Sequence, residues 1–246
     1  MLTLWNRYLC HRLESDTQVL VTSLLVIILC YGSILTTRIV ITTFLSANSQ
    51  SYFSPWILAL PQILLLIFVL IVCSRGRVFS YKDLKLQPPK SWRSYFLAVL
   101  CVPANILFVV LYMVIVTRLE LTFFYTPEIP KNILGSGWFI LANLFAICLF
   151  VPVVEEIFFR GFLLKLLITK WSVFSSVVLT SLVFAVLHGH LGLLIPVFTC
   201  SAVISILYIR SRSIYPPILT HGCMNCLLYT SDAADDTPCV DLGGRR

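Results

Sequence analysis

The sequence predicts an all-α polytopic membrane protein, a single helical bundle with about seven spans. Three observations carry this. Of 246 residues, 59% are hydrophobic and only 12% charged, where a soluble domain carries roughly 25% charged residues. The apolar runs are long and continuous, and lipid admits only helices or closed barrels, because no water is present to satisfy an open backbone. Continuity rather than alternation excludes the barrel. Lysine and arginine also gather in alternate connections, 13 against three in the other set, counting from the N-terminus. That bias predicts a cytoplasmic N-terminus.

The elements follow in order. Residues 1–16 form a polar lead with Arg7 and Arg12. Residues 17–37 are long enough to cross a core of roughly 30 Å. A Ser- and Thr-rich connection, 38–55, leads to a second span over 56–73, with Trp56 at the interface and a kink expected at Pro61. The connection 74–94 holds Arg75, Arg77, Lys82, Lys85, Lys90 and Arg93, and its Pro88 and Pro89 exclude a helix there. A third span covers 95–117, interrupted by Pro103. The loop that follows contains the turn formers Pro127, Pro130, Gly135 and Gly137. Trp138 opens a fourth span that runs to about Thr169. A fifth covers 172–188, ended by Gly189 and Gly192; a sixth covers 193–209; a seventh starts at Tyr215.

The net charge of +7 belongs to the basic connections and gives no reason to expect a nucleic-acid partner. Cys30, Cys101, Cys148 and Cys200 lie inside apolar spans and read as small packing residues. Cys223 and Cys226 spell C-x-x-C, but without a second pair the zinc or redox reading is weak.

The chemistry concentrates in VPVVEEIFFRGF, residues 151–162, where Glu155, Glu156 and Arg160 interrupt the fourth span. A charge at mid-bilayer costs about 2.5–3.5 kcal/mol on insertion scales, so these groups need a partner or a task. Glu156 and Arg160 are spaced i,i+4 and can pair on one helix face. Glu155 is turned onto a neighbouring face, which leaves it free for chemistry. If the fourth and fifth spans form a hairpin at Trp171, Glu155 and His188 lie 16 and 17 residues from the turn. At 1.5 Å per residue both are about 20–25 Å deep. Phe184 shares a face with His188, and His221 shares one with Asn225. A carboxylate beside an imidazole can deprotonate water. Imidazole and amide N–H groups can stabilise an oxyanion. Glu155, His188 and His221 could alternatively hold zinc or iron, although no HExxH is present. A salt bridge between helices or a proton relay would use the same residue types, whereas His190 reads as a packed, hydrogen-bonded residue.

These residues resemble a known family. Glu155-Glu156-x-x-x-Arg160, then Phe184-x-x-x-His188, then His221-x-x-x-Asn225 are similar to the three motifs of the CAAX-protease and bacteriocin-processing family, also called CPBP or Abi proteins. The likeness covers about 141–225, and 74–92 resembles the loop that precedes this core. It implies an eight-helix intramembrane endopeptidase that works without metal. Glu155 would activate water with the help of His188, and His221 and Asn225 would stabilise the oxyanion. Glu156 and Arg160 match motif positions that are structural or substrate-positioning, as does Phe184, and Glu156 is also counted with Glu155, His188, His221 and Asn225 in the catalytic set. Membrane lipids and a peptide or membrane-protein substrate, lipidated or not, are the implied partners, and a bacterial cell membrane is the expected location. The alternatives are a catalytically silent immunity or scaffold protein of the same fold, and a proton-coupled carrier using Glu155 and His188. Internal repeats, which would favour the carrier, are not evident.

The domain organisation read from the sequence is a lead over 1–16, N-terminal spans and basic loop over 17–137, a catalytic core over 138–225, and a non-native tail over 226–246. The last expectation rests on the string from Cys226 to Asp236, which reads as the translation of a transposase-type sequencing adapter. On that reading the native frame departs near Asn225 and the eighth span is missing.

Overall fold

The structure is a computed structural model that describes residues 17–29, 31–32, 35–36, 39, 43–44, 47–75, 79–127, 134 and 138–235, with side chains given for all of these except 47–58, 60 and 230–235. The lead with Arg7 and Arg12, Cys30, Arg38, Arg77, Pro130, Gly135, Gly137 and residues 236–246 lie outside the described residues.

Seven helices make up the described residues: α1 (Thr17–Leu29), α2 (Ala47–Arg75), α3 (Arg93–Arg118), α4 (Phe139–Ile168), α5 (Val173–Val186), α6 (Leu191–Ser211) and α7 (Tyr215–Asp235), with short 3-10 turns at Tyr81–Leu84 and Thr122–Phe124. No strand occurs among them. α3, α4 and α6 are each long and apolar enough to cross a membrane, while Thr17–Leu29, Pro61–Arg75 and Val173–Val186 are shorter apolar helices. α2 begins at Ala47, inside the Ser- and Thr-rich stretch read as a connection. Polar composition alone does not decide against a helix.

α4 is the central helix. Phe158, Phe159, Arg160, Phe162, Leu163 and Leu164 are all buried, although they cover every face of that segment. A helix buried all round must be wrapped by others. α2 contributes Leu65, Val69 and Cys73 to the shared core, the 79–84 connection contributes Phe79 and Leu84, and α5 contributes Phe184. The phenylalanines meet mainly edge to face. Phe162 lies 5.7 Å from Phe68 and 5.2 Å from Phe79, and Phe159 lies 4.9 Å from Phe184, between ring centroids. Such pairs add about 0.5–1.5 kcal/mol each beyond area burial.

The contact between Phe159 and Phe184 fixes the register of the α4–α5 hairpin. The two residues are 12 and 13 positions from Trp171, so equidistant residues are level; Glu155 follows one turn further along α4, and His188 lies in the turn just past the end of α5. Ser172 caps α5, its hydroxyl accepting from the Ser175 N–H. At 1.5 Å per residue α5 spans about 21 Å, short of the roughly 30 Å core. Gly189, with φ of 69°, takes the left-handed turn that ends it. Gly192 sits inside the first turn of α6, and His190 caps that helix, Nδ1 accepting from the Gly192 N–H at 3.1 Å.

The basic connections meet in pairs. Lys170 Nζ donates to Thr17 Oγ1 at 2.9 Å, Ser213 Oγ to the Gln87 carbonyl at 2.7 Å, and the Ile214 N–H to the Lys85 carbonyl at 3.2 Å. Arg160, counted with the turn after the fourth span, is fully buried within α4. Without it the basic bias is 12 to three.

Candidate active site

The site is built where α4 departs from α-helical winding. Two stretches, Ala146–Phe150 and Ile157–Leu164, are wound as π-helix on either side of Val151–Glu156. Pro152 explains the first. It has no N–H, and its ring crowds the carbonyl four residues back, so the regular ladder cannot continue. The Val151 N–H bonds instead to the Ala146 carbonyl, five residues back. In that register Ile147 would look to Pro152 for a donor and find none. Asn225 Nδ2 takes the place, donating to the Ile147 carbonyl at 3.0 Å.

Gly222, one turn before Asn225, makes this docking feasible. A Cβ there would stand 2.6 Å from the Cys148 carbonyl, closer than real Cβ atoms come. Gly222→Ala should therefore push α7 off α4 and lower stability by about 1–3 kcal/mol, the usual cost of overpacking. Thermal unfolding in detergent measures this, and an unchanged midpoint would contradict the docking.

The charged residues form one connected cluster. Arg160 Nη1 pairs with Glu156 Oε1 at 2.6 Å, and Nη2 donates to Ser201 Oγ at 2.7 Å and to the Ser201 carbonyl at 3.3 Å. The Arg160 guanidinium lies 4.7 Å from the centre of the Phe184 ring. His221 Nδ1 lies 2.7 Å from the same Glu156 oxygen. With Glu156 ionised and paired to Arg160, the ring nitrogen is the donor. That bond fixes the imidazole and turns His221 Nε2 toward Glu155, 3.8 Å from Oε2. Glu155 Oε1 is held by Gln62 Nε2 of α2 at 2.7 Å. Two carboxylates and one guanidinium leave a net charge of −1, and one proton shared between Glu155 and His221 makes the cluster neutral. Neutrality matters because unpaired charge is costly to bury.

His188 stands beside this cluster rather than in it. Its Nδ1 bonds the Phe184 carbonyl at 2.9 Å. A carbonyl only accepts, so Nδ1 carries the proton and Nε2 of the neutral ring is an acceptor. Phe184 lies against both imidazoles, 5.0 Å from His188 and 5.9 Å from His221 between centroids. His188 is exposed, whereas Glu155, Glu156 and His221 are buried. No direct contact joins Glu155 to His188. Equal depth fixes height along the bundle and leaves rotation about each helix axis free.

Sequence reasoning therefore named Glu155, Glu156, Arg160, Phe184, His188, His221 and Asn225, and missed Gln62 and Ser201. Gln62 could have been found, since it is an amide in an apolar span and an unpaired polar group there is expensive. Ser201 carried no signal, because serine is common in buried helix contacts. Among the described residues, no three His, Cys, Asp or Glu side chains converge as metal ligands would. Of the three residues considered for zinc or iron, Glu155 bonds Gln62 through Oε1, His188 the Phe184 carbonyl through Nδ1, and His221 Glu156 through Nδ1.

Residues 137–227 match the family model described as Rce1-like, type II CAAX prenyl endopeptidase. This stretch contains all three motifs, and the match is to the CAAX-protease family that those motifs resemble. Searches of curated proteins and of solved structures gave no match.

Proposed function

We propose that the chain is an intramembrane endopeptidase in which Glu155 activates water for attack on a peptide bond. The observation that carries this is the buried carboxylate with one oxygen anchored by Gln62 and the other facing an oriented imidazole at 3.8 Å. Glu155 Oε2 takes a proton from water as the oxygen bonds to the carbonyl carbon. The same proton then passes to the amide nitrogen as the C–N bond breaks. Acid–base help of this kind contributes about 10²–10⁴-fold. His188 Nε2, the free acceptor, receives a hydrogen bond from the second water hydrogen.

His221 and Asn225 supply the oxyanion donors. The Asn225 amide has two N–H bonds, of which the Ile147 carbonyl takes one. The remaining one is available to substrate oxygen. His221 donates through Nε2 when the ring carries the proton that neutralises the cluster. Glu156 and Arg160 position His221 and do not touch the reacting atoms.

The substrate is a peptide or membrane protein that enters beside the exposed His188, and the name of the matching family makes lipidated C-terminal peptides the first class to try. The positive bias of the connections supports a cytoplasmic N-terminus. A bacterial membrane is the proposed setting, and the residues after Asn225 are proposed to be foreign to the native frame. Sequencing the locus from an independent library tests the last point, and an identical genomic tail would sink it.

The activity is tested with the full chain in detergent micelles and a mixed library of prenylated and unlipidated peptides. Cleavage is expected, unchanged by EDTA or 1,10-phenanthroline. A complete lack of cleavage would overturn the peptidase reading, and loss on chelation with recovery on added zinc would overturn metal-free catalysis.

A further inference from the structure

We infer that Gln62 is a positioning residue of the reaction: it determines which oxygen of Glu155 exchanges the proton. The inference rests on the peptidase reading above. Gln62 lies in the α2 stretch Pro61–Arg75, an apolar helix, and only 3% of its surface is exposed. Nothing in the three sequence motifs includes it. Its Nε2 donates to Glu155 Oε1 at 2.7 Å, a contact between residues 93 positions apart. A bond to an ionised acceptor is short and roughly twice as strong as a neutral one.

Packing alone does not account for this amide. Gln62 Oε1 is buried without a partner, and an unsatisfied buried acceptor costs about 1–3 kcal/mol. Leucine, which fills the neighbouring α2 positions Leu64, Leu65 and Leu66, would avoid that cost. What leucine lacks is a donor for Glu155. A carboxylate is symmetric about its last torsion and exchanges its oxygens unless one is held. Gln62 holds Oε1, so Oε2 is the oxygen that faces His221 Nε2 at 3.8 Å and is left for the water of the proposed reaction. The anchor comes from a different helix than Glu155, so it also ties proton transfer to the seating of α2 on α4.

Gln62→Met keeps side-chain length and removes the donor, and Gln62→Asn keeps the donor but shortens its reach. Both are compared with wild type on a peptide that the wild type cleaves, in the full chain. Gln62→Met should lower kcat about 10–100-fold, as expected for a displaced reacting group, with KM within about twofold. Gln62→Asn should recover little. Wild-type kcat in Gln62→Met overturns the proposal, and so does a loss shared equally by KM or matched by a lowered unfolding midpoint. If the wild type cleaves no peptide, the peptidase reading falls separately. Infrared difference spectra, with Glu155→Gln to assign the carboxylate band, then decide the contact. A band that moves in Gln62→Met keeps Gln62 as the group that sets Glu155, and an unmoved band overturns that as well.

Discussion

Arg160→Leu is expected to lower the stability of the folded chain by about 3–5 kcal/mol, the cost of stranding the other half of a buried ion pair. Glu156 would lose its 2.6 Å partner and keep only His221. Ser201 would lose the guanidinium at 2.7 Å, and Phe184 its cation at 4.7 Å. Arg160→Lys should rescue little. A lysine is a point charge that cannot span Glu156 and Ser201 with a planar fork or stack on the Phe184 ring. The double variant Glu156→Met with Arg160→Leu should recover a large part of the loss, because replacing both members with apolar groups removes the stranded charge. Thermal unfolding in detergent, followed by tryptophan fluorescence, reads all three. A double variant no more stable than Arg160→Leu would contradict the pairing.

The same cluster shows what the sequence made legible and what it did not. The helical architecture was legible because lipid forces it, and charges inside the fourth span marked α4 as the helix to be enclosed. Spacing alone paired Glu156 with Arg160, since i,i+4 contacts are local. The hairpin register was legible from equal distances to Trp171, and the contact of Phe159 with Phe184 agrees with it. Long-range partners were not. Gln62 reaches Glu155 across 93 positions and Ser201 reaches Arg160 across 41, and no local rule connects them. Pro152 stood in plain view within VPVVEE, yet the π-winding beside it, and the carbonyl it leaves for Asn225, need the neighbouring helix to be seen. His188 was expected beside Glu155 and instead bonds the Phe184 carbonyl, because rotation about a helix axis is set by packing on every side.

Glu155→Gln is expected to reduce cleavage about 10²–10⁴-fold, the range a positioned general base contributes. The substitution is nearly isosteric, and the amide oxygen of the new side chain can accept from Gln62 Nε2 as the carboxylate does at 2.7 Å. Removing one negative charge also leaves Glu156 with Arg160 as a balanced pair. Folding is therefore expected to survive while proton transfer does not. Glu156→Gln differs in kind. It weakens the contacts to both Arg160 and His221, so stability and activity should fall together.

The most direct test of the account is cleavage of one identified peptide by the full-length protein, wild type against Glu155→Gln, with both shown to unfold at the same temperature. The account predicts rapid turnover by the wild type and a loss of at least about 10²-fold in the variant, carried by kcat. Undiminished turnover by a folded Glu155→Gln protein would contradict the claim that this carboxylate activates the water.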